Sequence, residues 1–110
     1  MSSAAVPVYV SEIDLAGLGL TPSHIADSIE DALRAQAVGS LWTVPKSALM
    51  PGDGRYFMTT LSVGDGPGLS VMKVAMVSPR NPERGLPGIE AAILVLDAET
   101  GEMRATMGGK

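Results

Sequence analysis

The sequence predicts an α+β domain in which one amphipathic helix packs on a mostly antiparallel sheet of about five to six strands. Two observations carry this prediction. One segment with helical hydrophobic spacing follows Thr21 and Pro22, and short β-prone runs separated by glycine and proline turns fill most of the remaining chain. The length agrees, because 110 residues correspond to one domain, residues 1–110, with a modest hydrophobic core.

The helix has clear start and stop signals. Thr21 is a favoured N-cap residue, and Pro22 suits the first helical position. Gly39 is a favoured residue just after a helix end, so the pattern predicts a helix over residues 22–37. Three apolar residues at helical spacing are expected to form one buried stripe: Ile25, Ile29 and Leu33.

The rest of the chain is predicted to be strands, apart from a connector at residues 11–20. Pro7 favours an edge position for the first strand, because proline cannot donate a ladder hydrogen bond. Pro45 is expected to interrupt the second strand for the same reason. The predicted strands are 6–10, 41–49, 56–63, 69–77, 89–96 and 102–107.

Composition excludes several classes of function. There is no cysteine, so disulfides, thiolate catalysis and zinc–thiolate sites are excluded, and a cytoplasmic location is expected. The net charge is −4 without a run of Lys and Arg, which argues against nucleic-acid binding. No apolar run approaches the ~20 residues of a membrane helix, so no membrane partner is expected. Residues 1–5 lack the features of a secretory signal.

Two strands indicate a partner subunit. The runs 69–77 and 89–96 are almost continuously apolar, which is typical of strands buried on both faces. A helix of about four turns covers only part of such a sheet. The sheet is therefore predicted to pair with another subunit in a homo- or hetero-oligomer. The alternative is a small α+β monomer with one partly exposed apolar face.

Lys73 is the most informative charged residue, because it interrupts an apolar strand. Burying a cation is costly unless another group pairs it. A loop rich in backbone donors follows the strand and contains Asn81, so this region is a candidate anion site. The alternative is that Lys73 marks an edge strand or points to water.

Other chemistry-bearing residues favour structural roles. His24, the only histidine, falls in the first turn of the helix, so a histidine triad or a histidine metal cluster is unavailable. Asp53 and Asp65 occur in glycine-rich turns, where aspartate bonds the local backbone. The turn 64–68 looks like a phosphate loop but lacks the strand–loop–helix context.

An ordered set of residues nevertheless matches a known family. The set is a glycine-led strand ending in Lys73, then Asn81, Gly85-Leu86-Pro87, Asp97-Ala98-Glu99-Thr100-Gly101 and Met107-Gly108-Gly109. Upstream, an acidic amphipathic helix, Val44-Pro45-Lys46 and a strand containing Phe57-Met58 follow the same order. With this set, nearly the whole chain resembles the N-terminal region of the ornithine cyclodeaminase/mu-crystallin family.

The resemblance implies a function and a site. Family members are dimeric NAD(P)-dependent cyclodeaminases, amino-acid dehydrogenases or ketimine reductases, and some are binding proteins. Their first segment binds substrate and forms the dimer, and a Rossmann domain follows. By this resemblance Lys73 is the active-site lysine and Lys46 meets the substrate carboxylate. Met58 and Asn81 complete the implied substrate-binding residues.

The sequence also departs from the family pattern. Lys46 replaces an arginine and loses its bidentate fork, and Tyr56 lies where cyclodeaminases carry a glutamate. Gly108 occupies a position where members often have aspartate. The Thr-x-x-Arg-Thr element and the dinucleotide fingerprint do not occur in these residues. The chain alone is therefore not expected to bind NAD(P), which would require a Rossmann-type partner chain.

The resemblance and these departures together leave two alternative functions. The first is the substrate-binding and dimerisation subunit, or a fragment, of an NAD(P)-dependent oxidoreductase or cyclodeaminase acting on small amino or imino acids. The second is a non-catalytic binding or dimerisation module that regulates a full-length relative. The sequence is also compatible with a fragment of a longer protein.

Overall fold

The structure, a computed structural model, describes residues 6–109. The segment 1–5, where the sequence predicts no secretory signal, lies outside this range. The fold is α+β with one main helix and a mostly antiparallel seven-stranded sheet, which confirms the predicted fold class. The strands are β1 Val8–Val10, β2 Leu41–Thr43, β3 Ser47–Leu49, β4 Tyr56–Gly64, β5 Leu69–Val77, β6 Ile89–Asp97 and β7 Met103–Gly108. The helices are α1 Glu12–Ala16, α2 Pro22–Ala37 and a 3-10 helix at Asn81–Arg84.

The sheet has the order β1-β7-β6-β5-β4-β2, and β3 also pairs with β4. Only the β1–β7 pair is parallel, and the other pairs are antiparallel. The strand predicted over 41–49 divides at Pro45 into β2 and β3, so the sheet has more strands than expected. The edge position of β1 agrees with the prediction from Pro7.

The bounds of α2 are those predicted from its sequence signals. The Thr21 hydroxyl accepts a hydrogen bond from the His24 backbone N–H at 3.2 Å. In return, Nδ1 of His24 accepts from the Thr21 backbone N–H at 3.3 Å. Gly39 follows the helix with φ of 81°, a conformation that glycine adopts without steric cost. His24 therefore stabilises the helix start.

The expected connector at residues 11–20 is wrong in part, because it contains the short helix α1. Ser11 and Asp14 form a capping box: the Ser11 hydroxyl accepts from the Asp14 N–H at 3.1 Å, and the Asp14 carboxylate accepts from the Ser11 N–H at 3.0 Å. The hydrogen bond from the Ser11 backbone holds the pKa of Asp14 below its usual value. A serine followed three residues later by an acidic residue is a helix-start signal.

The interior of the single chain is very small. Ala75, 2% exposed, is the one buried hydrophobic residue between residues 6 and 109. The radius of gyration is 16.3 Å, whereas a compact domain of this length has about 13 Å. The predicted stripe forms on α2 but is not buried, because α2 meets the sheet chiefly at β2. The exposed fractions are 51% for Ile25, 56% for Ile29 and 62% for Leu33.

Candidate functional site

Lys73 lies on an interior strand of the sheet. It pairs with Thr60 of β4 on one side and with Ile93 of β6 on the other. The interpretation of Lys73 as an edge-strand residue is therefore wrong, since β5 has neighbours on both sides. Lys73 is half-buried, and no residue between 6 and 109 forms a hydrogen bond or ion pair with its ammonium group. Among the residues described, it is therefore a cation without a partner on a largely apolar strand.

The strand register defines the face of the sheet on which Lys73 lies. Residues directly opposite each other on neighbouring strands share a face, and side chains alternate along each strand. We call this side of the sheet the lysine face. From the register, its central residues are Tyr56, Met58, Thr60, Lys73, Ala75, Ala91 and Ile93.

Lys46 reaches the same face through an aromatic contact. Its ammonium nitrogen lies 5.6 Å from the centroid of the Tyr56 ring, within the ~6 Å range of a cation–π interaction. Tyr56 pairs with Val77, four residues from Lys73, so the backbone positions of Tyr56 and Lys73 are about 13 Å apart along the sheet. The two lysines therefore lie on one face with a short stretch of sheet between them.

Small side chains occupy much of that stretch. Across the strands, Met58 pairs with Ala48 on one side and with Ala75 on the other, and Ala75 pairs with Ala91. The backbone N–H of Gly109 donates to the Ala91 carbonyl at 3.1 Å, which continues the row. Three alanines and a glycine project little from the sheet in this row, Ala75 is itself covered at 2% exposed, and Met58 is the one long apolar side chain of the row.

Asn81 lies beyond the end of β5, in the loop that leads to β6. Its side-chain Nδ2 donates to the Pro87 carbonyl at 3.0 Å. Its Oδ1 accepts a long hydrogen bond, 3.4 Å, from Arg84. The amide is thus engaged inside its own loop. Of the four predicted site residues, Lys46, Met58 and Lys73 come together on the lysine face, whereas Asn81 is located past the end of β5. Its role toward a substrate stays a prediction.

Two residues of this face were missed as site residues by sequence reasoning. Tyr56 was treated only as a departure from the family pattern, although its ring contacts Lys46. Thr60 places a hydroxyl-bearing side chain directly opposite Lys73. The only sequence signal for Thr60 is its period-two spacing from Met58, and the register that pairs it with Lys73 depends on the fold. In the described part of the chain, no group of three or more His, Asp or Glu side chains could hold a metal ion.

Comparison with known proteins identifies the fold. No family profile and no curated protein matches the sequence. Solved structures do match. Thermococcus litoralis Δ1-pyrroline-2-carboxylate reductase, in complex with NADH and L-proline, has a TM-score of 0.82 at 24% identity. The iminosuccinate reductase of Paracoccus denitrificans, in complex with NAD⁺, has 0.83 at 21%. A probable ornithine cyclodeaminase from Bordetella pertussis Tohama I has 0.75 at 19%.

The matches cover almost all of this chain but a small part of each relative. In each of these three cases 94% of this chain is aligned, which is 32%, 32% and 30% of the other chain. This chain therefore spans about a third of the length of those proteins. The resemblance to the ornithine cyclodeaminase/mu-crystallin family is confirmed at the level of the fold. Between residues 6 and 109, no helix is long and apolar enough to cross a membrane.

Proposed function

We propose that this chain is the substrate-binding and dimerisation part of an NAD(P)-dependent oxidoreductase or cyclodeaminase that acts on small amino or imino acids. The observation that carries the proposal is the placement of Lys73 and Lys46 on one face of a sheet whose fold is shared with reductases of imino acids. Two cations on one face suit a small substrate that carries a carboxylate.

Lys73 has the central role in this proposal. Lys73 is half-buried as a residue and its ammonium group has no carboxylate partner among residues 6–109, so the group is available to a substrate carboxylate or to the nitrogen of an imine. Partial burial strengthens such an interaction, because the effective dielectric is lower than in water. Thr60, directly opposite, is close enough in the sheet to contact the same group.

The neighbouring residues complete the binding surface. Lys46, held over the Tyr56 ring, adds a second positive charge for the carboxylate. Met58, on the same face between Tyr56 and Thr60, offers apolar surface for the carbon chain of the substrate. Asn81 shapes the loop at the end of the site through its bond to Pro87. The reaction proposed is hydride transfer at the α-carbon of the amino or imino acid.

The residues of this chain do not fit a dinucleotide through the Rossmann route. That route needs a glycine-rich turn leading from a strand into a helix, whose N-terminus binds the pyrophosphate. The turn 64–68 instead joins β4 to β5, which are two strands. A Rossmann-type partner chain, or a further segment of a longer chain, would hold the NAD(P) that supplies or accepts the hydride.

The exposed apolar surface supports the dimerisation part of the proposal. A chain with one buried hydrophobic residue among those described gains little from the hydrophobic effect unless a partner covers it. Both a second copy and a Rossmann-type chain would contribute such cover. A cytoplasmic location, expected from the cysteine-free composition, belongs to the same proposal.

The alternative function is a non-catalytic binding or dimerisation module that regulates a full-length relative. The exposed sheet favours it as strongly as the enzymatic proposal, and so does the replacement of the family glutamate by Tyr56. The lysine pair distinguishes the two functions, because a module that only pairs with another chain has no need of two cations on one face.

The test is to recover the chain from its native cell extract and to identify by mass spectrometry what accompanies it. A stoichiometric Rossmann-type chain supports the enzyme, and the assembled protein would then be assayed with amino and imino acids and NAD(P)H. Recovery of a full-length relative that has its own copy of this domain, or of the chain alone as a homodimer, with no such activity, supports the regulatory module instead.

A further inference from the structure

A second basic site lies at the end of the β4–β5 pair, just beyond Tyr56 and Val77 and next to that end of the lysine face. Three arginines, Arg55, Arg80 and Arg84, line one cleft of about 390 Å³ together with Asp53, Ser78 and Pro79. We call this site the arginine cleft, and we propose that it binds the phosphate group of a small phosphorylated molecule.

The strand register creates the arginine cleft from distant parts of the sequence. Tyr56 pairs with Val77, so the residues just before β4 lie beside the residues just after β5. The turn at Gly54 lies close to the loop that follows β5. Gly54 has a φ of 91°, and a Cβ added there would lie 3.3 Å from Cγ of Pro79 in that loop. The arginines are thus carried by two loops that are in close contact at this point.

The three guanidinium groups differ in how they are paired. Arg55 is paired, since its Nε donates to both oxygens of Asp53 at 2.8 and 3.0 Å. Arg84 has only the neutral Asn81 oxygen, at 3.4 Å. Arg80 has no hydrogen-bond or ion-pair partner within residues 6–109. Two of the three arginines therefore have no carboxylate partner in the part of the chain described.

The charge of the cleft selects the class of ligand. Three guanidinium groups and one carboxylate give a net charge of +2 in a chain whose net charge is −4. A phosphate monoester carries about −1.5 to −2 at pH 7 and offers three acceptor oxygens, whereas a simple carboxylate carries −1. Guanidinium groups bind phosphate oxygens bidentately. The cleft is also larger than a phosphate group, which leaves room for the attached molecule.

This site goes beyond the proposed function and stands without it. Lys73 is about 13 Å along β5 from Val77, and the cleft begins only after Val77. Neither Lys46 nor Lys73 lines it. Phosphate binding at the arginine cleft can therefore be tested on the full chain whether or not a Rossmann-type partner exists.

The experiment is calorimetric titration of the chain at low ionic strength with inorganic phosphate, glycerol 3-phosphate and acetate. We expect saturable binding of the two phosphates and none of acetate. Tighter binding of the ester would identify a phosphorylated molecule as the ligand, whereas equal binding would show that the cleft recognises the phosphate group alone and would overturn the assignment to a phosphorylated molecule. The proposal is overturned if neither phosphate binds or if acetate binds as well as they do.

Four variants test whether phosphate binds in the arginine cleft. Arg80→Ala and Arg84→Ala should each weaken phosphate binding by about tenfold or more, the effect of losing a hydrogen bond from a charged donor. Asp53→Asn should strengthen it, because Arg55 loses its counter-charge while the turn keeps an acceptor oxygen. Arg34→Ala, which removes an arginine on α2 paired with Glu30, is the matched control and should change nothing. Equal affinities in all four variants would also overturn the proposal.

Discussion

The ammonium group of Lys46 lies over the ring of Tyr56, 5.6 Å from its centroid. This contact brings a lysine from the segment between β2 and β3 onto the sheet face that carries Lys73. Because Tyr56 is the first residue of β4, its ring orientation is set by the sheet. The Tyr56 ring therefore orients the long and flexible side chain of Lys46.

The first prediction concerns this contact. In the enzyme that we propose this chain forms with a Rossmann-type partner, Tyr56→Leu should raise the KM for the amino or imino acid a few-fold, because an exposed cation–π interaction contributes about 0.5–1 kcal/mol. Tyr56→Phe should leave KM nearly unchanged, since it keeps the aromatic face. Equal effects of the two variants on KM would show that the ring does not position Lys46.

The second prediction concerns Lys73. Lys73→Met should abolish substrate binding while the chain keeps its fold, because the methionine side chain fills similar space without the cost of a half-buried charge. The same substitution should not lower the thermal unfolding midpoint. Kinetics with the proposed partner chain and a thermal melt are the two measurements, and Arg34→Met, at an exposed cation of α2, is the control for loss of a positive charge. Unchanged kinetics in Lys73→Met would show that Lys73 does not bind the substrate.

The third prediction concerns association through the sheet. Leu61 lies on β4, and by side-chain alternation it points to the face opposite the lysine face. It is 47% exposed in the single chain. The chain should form a dimer or a larger species in light scattering at tens of micromolar, and Leu61→Glu should weaken this association. Val6→Glu, which changes an exposed residue outside the strands, should not. A compact monomer of the unaltered chain would contradict the prediction.

Local sequence signals were sufficient for the elements that depend on local chemistry. The start of α2 followed from Thr21 and Pro22, and β5 occupies the predicted residues Leu69–Val77. The start of α2 depends on hydrogen bonds between residues near each other in sequence, and β5 coincides with an apolar run bounded by glycine- and proline-rich turns, although its ladder hydrogen bonds are made to β4 and β6. The capping box that starts α1 is also a local signal. The leucines that follow it are separated by Gly17 and Gly19, and this spacing favoured the prediction of a connector.

Long-range features were not accessible in the same way. The position of Lys73 on an interior strand depends on the order of strands in the sheet, which the alternation of one strand does not contain. The helix stripe was expected to be buried because apolar stripes usually are, yet Ile29 stays exposed in the single chain. Arg55 and Arg80 meet in the arginine cleft although they are far apart in the sequence. No local sequence pattern could therefore predict this cleft.

The last prediction concerns the β6–β7 hairpin and pH. The carboxylate of Asp97 accepts hydrogen bonds from the backbone N–H groups of Thr100 and Glu99, both at 2.9 Å. It also pairs with Arg104. These hydrogen bonds, the one from Thr100 first, lower the pKa of Asp97 to about 2.

A depressed pKa in the folded state means that the ionised carboxylate stabilises the fold. This contribution is complete above the unfolded pKa of about 3.9 and is lost as the pH falls through about 2. Asp97→Asn should therefore be less stable than the unaltered chain at pH 6, and the difference should shrink as the pH falls from about 4 to 2. Chemical denaturation at several pH values measures it, with Asp65→Asn as the control turn aspartate. A difference in stability that is independent of pH would mean that Asp97 acts through its shape and not through its charge.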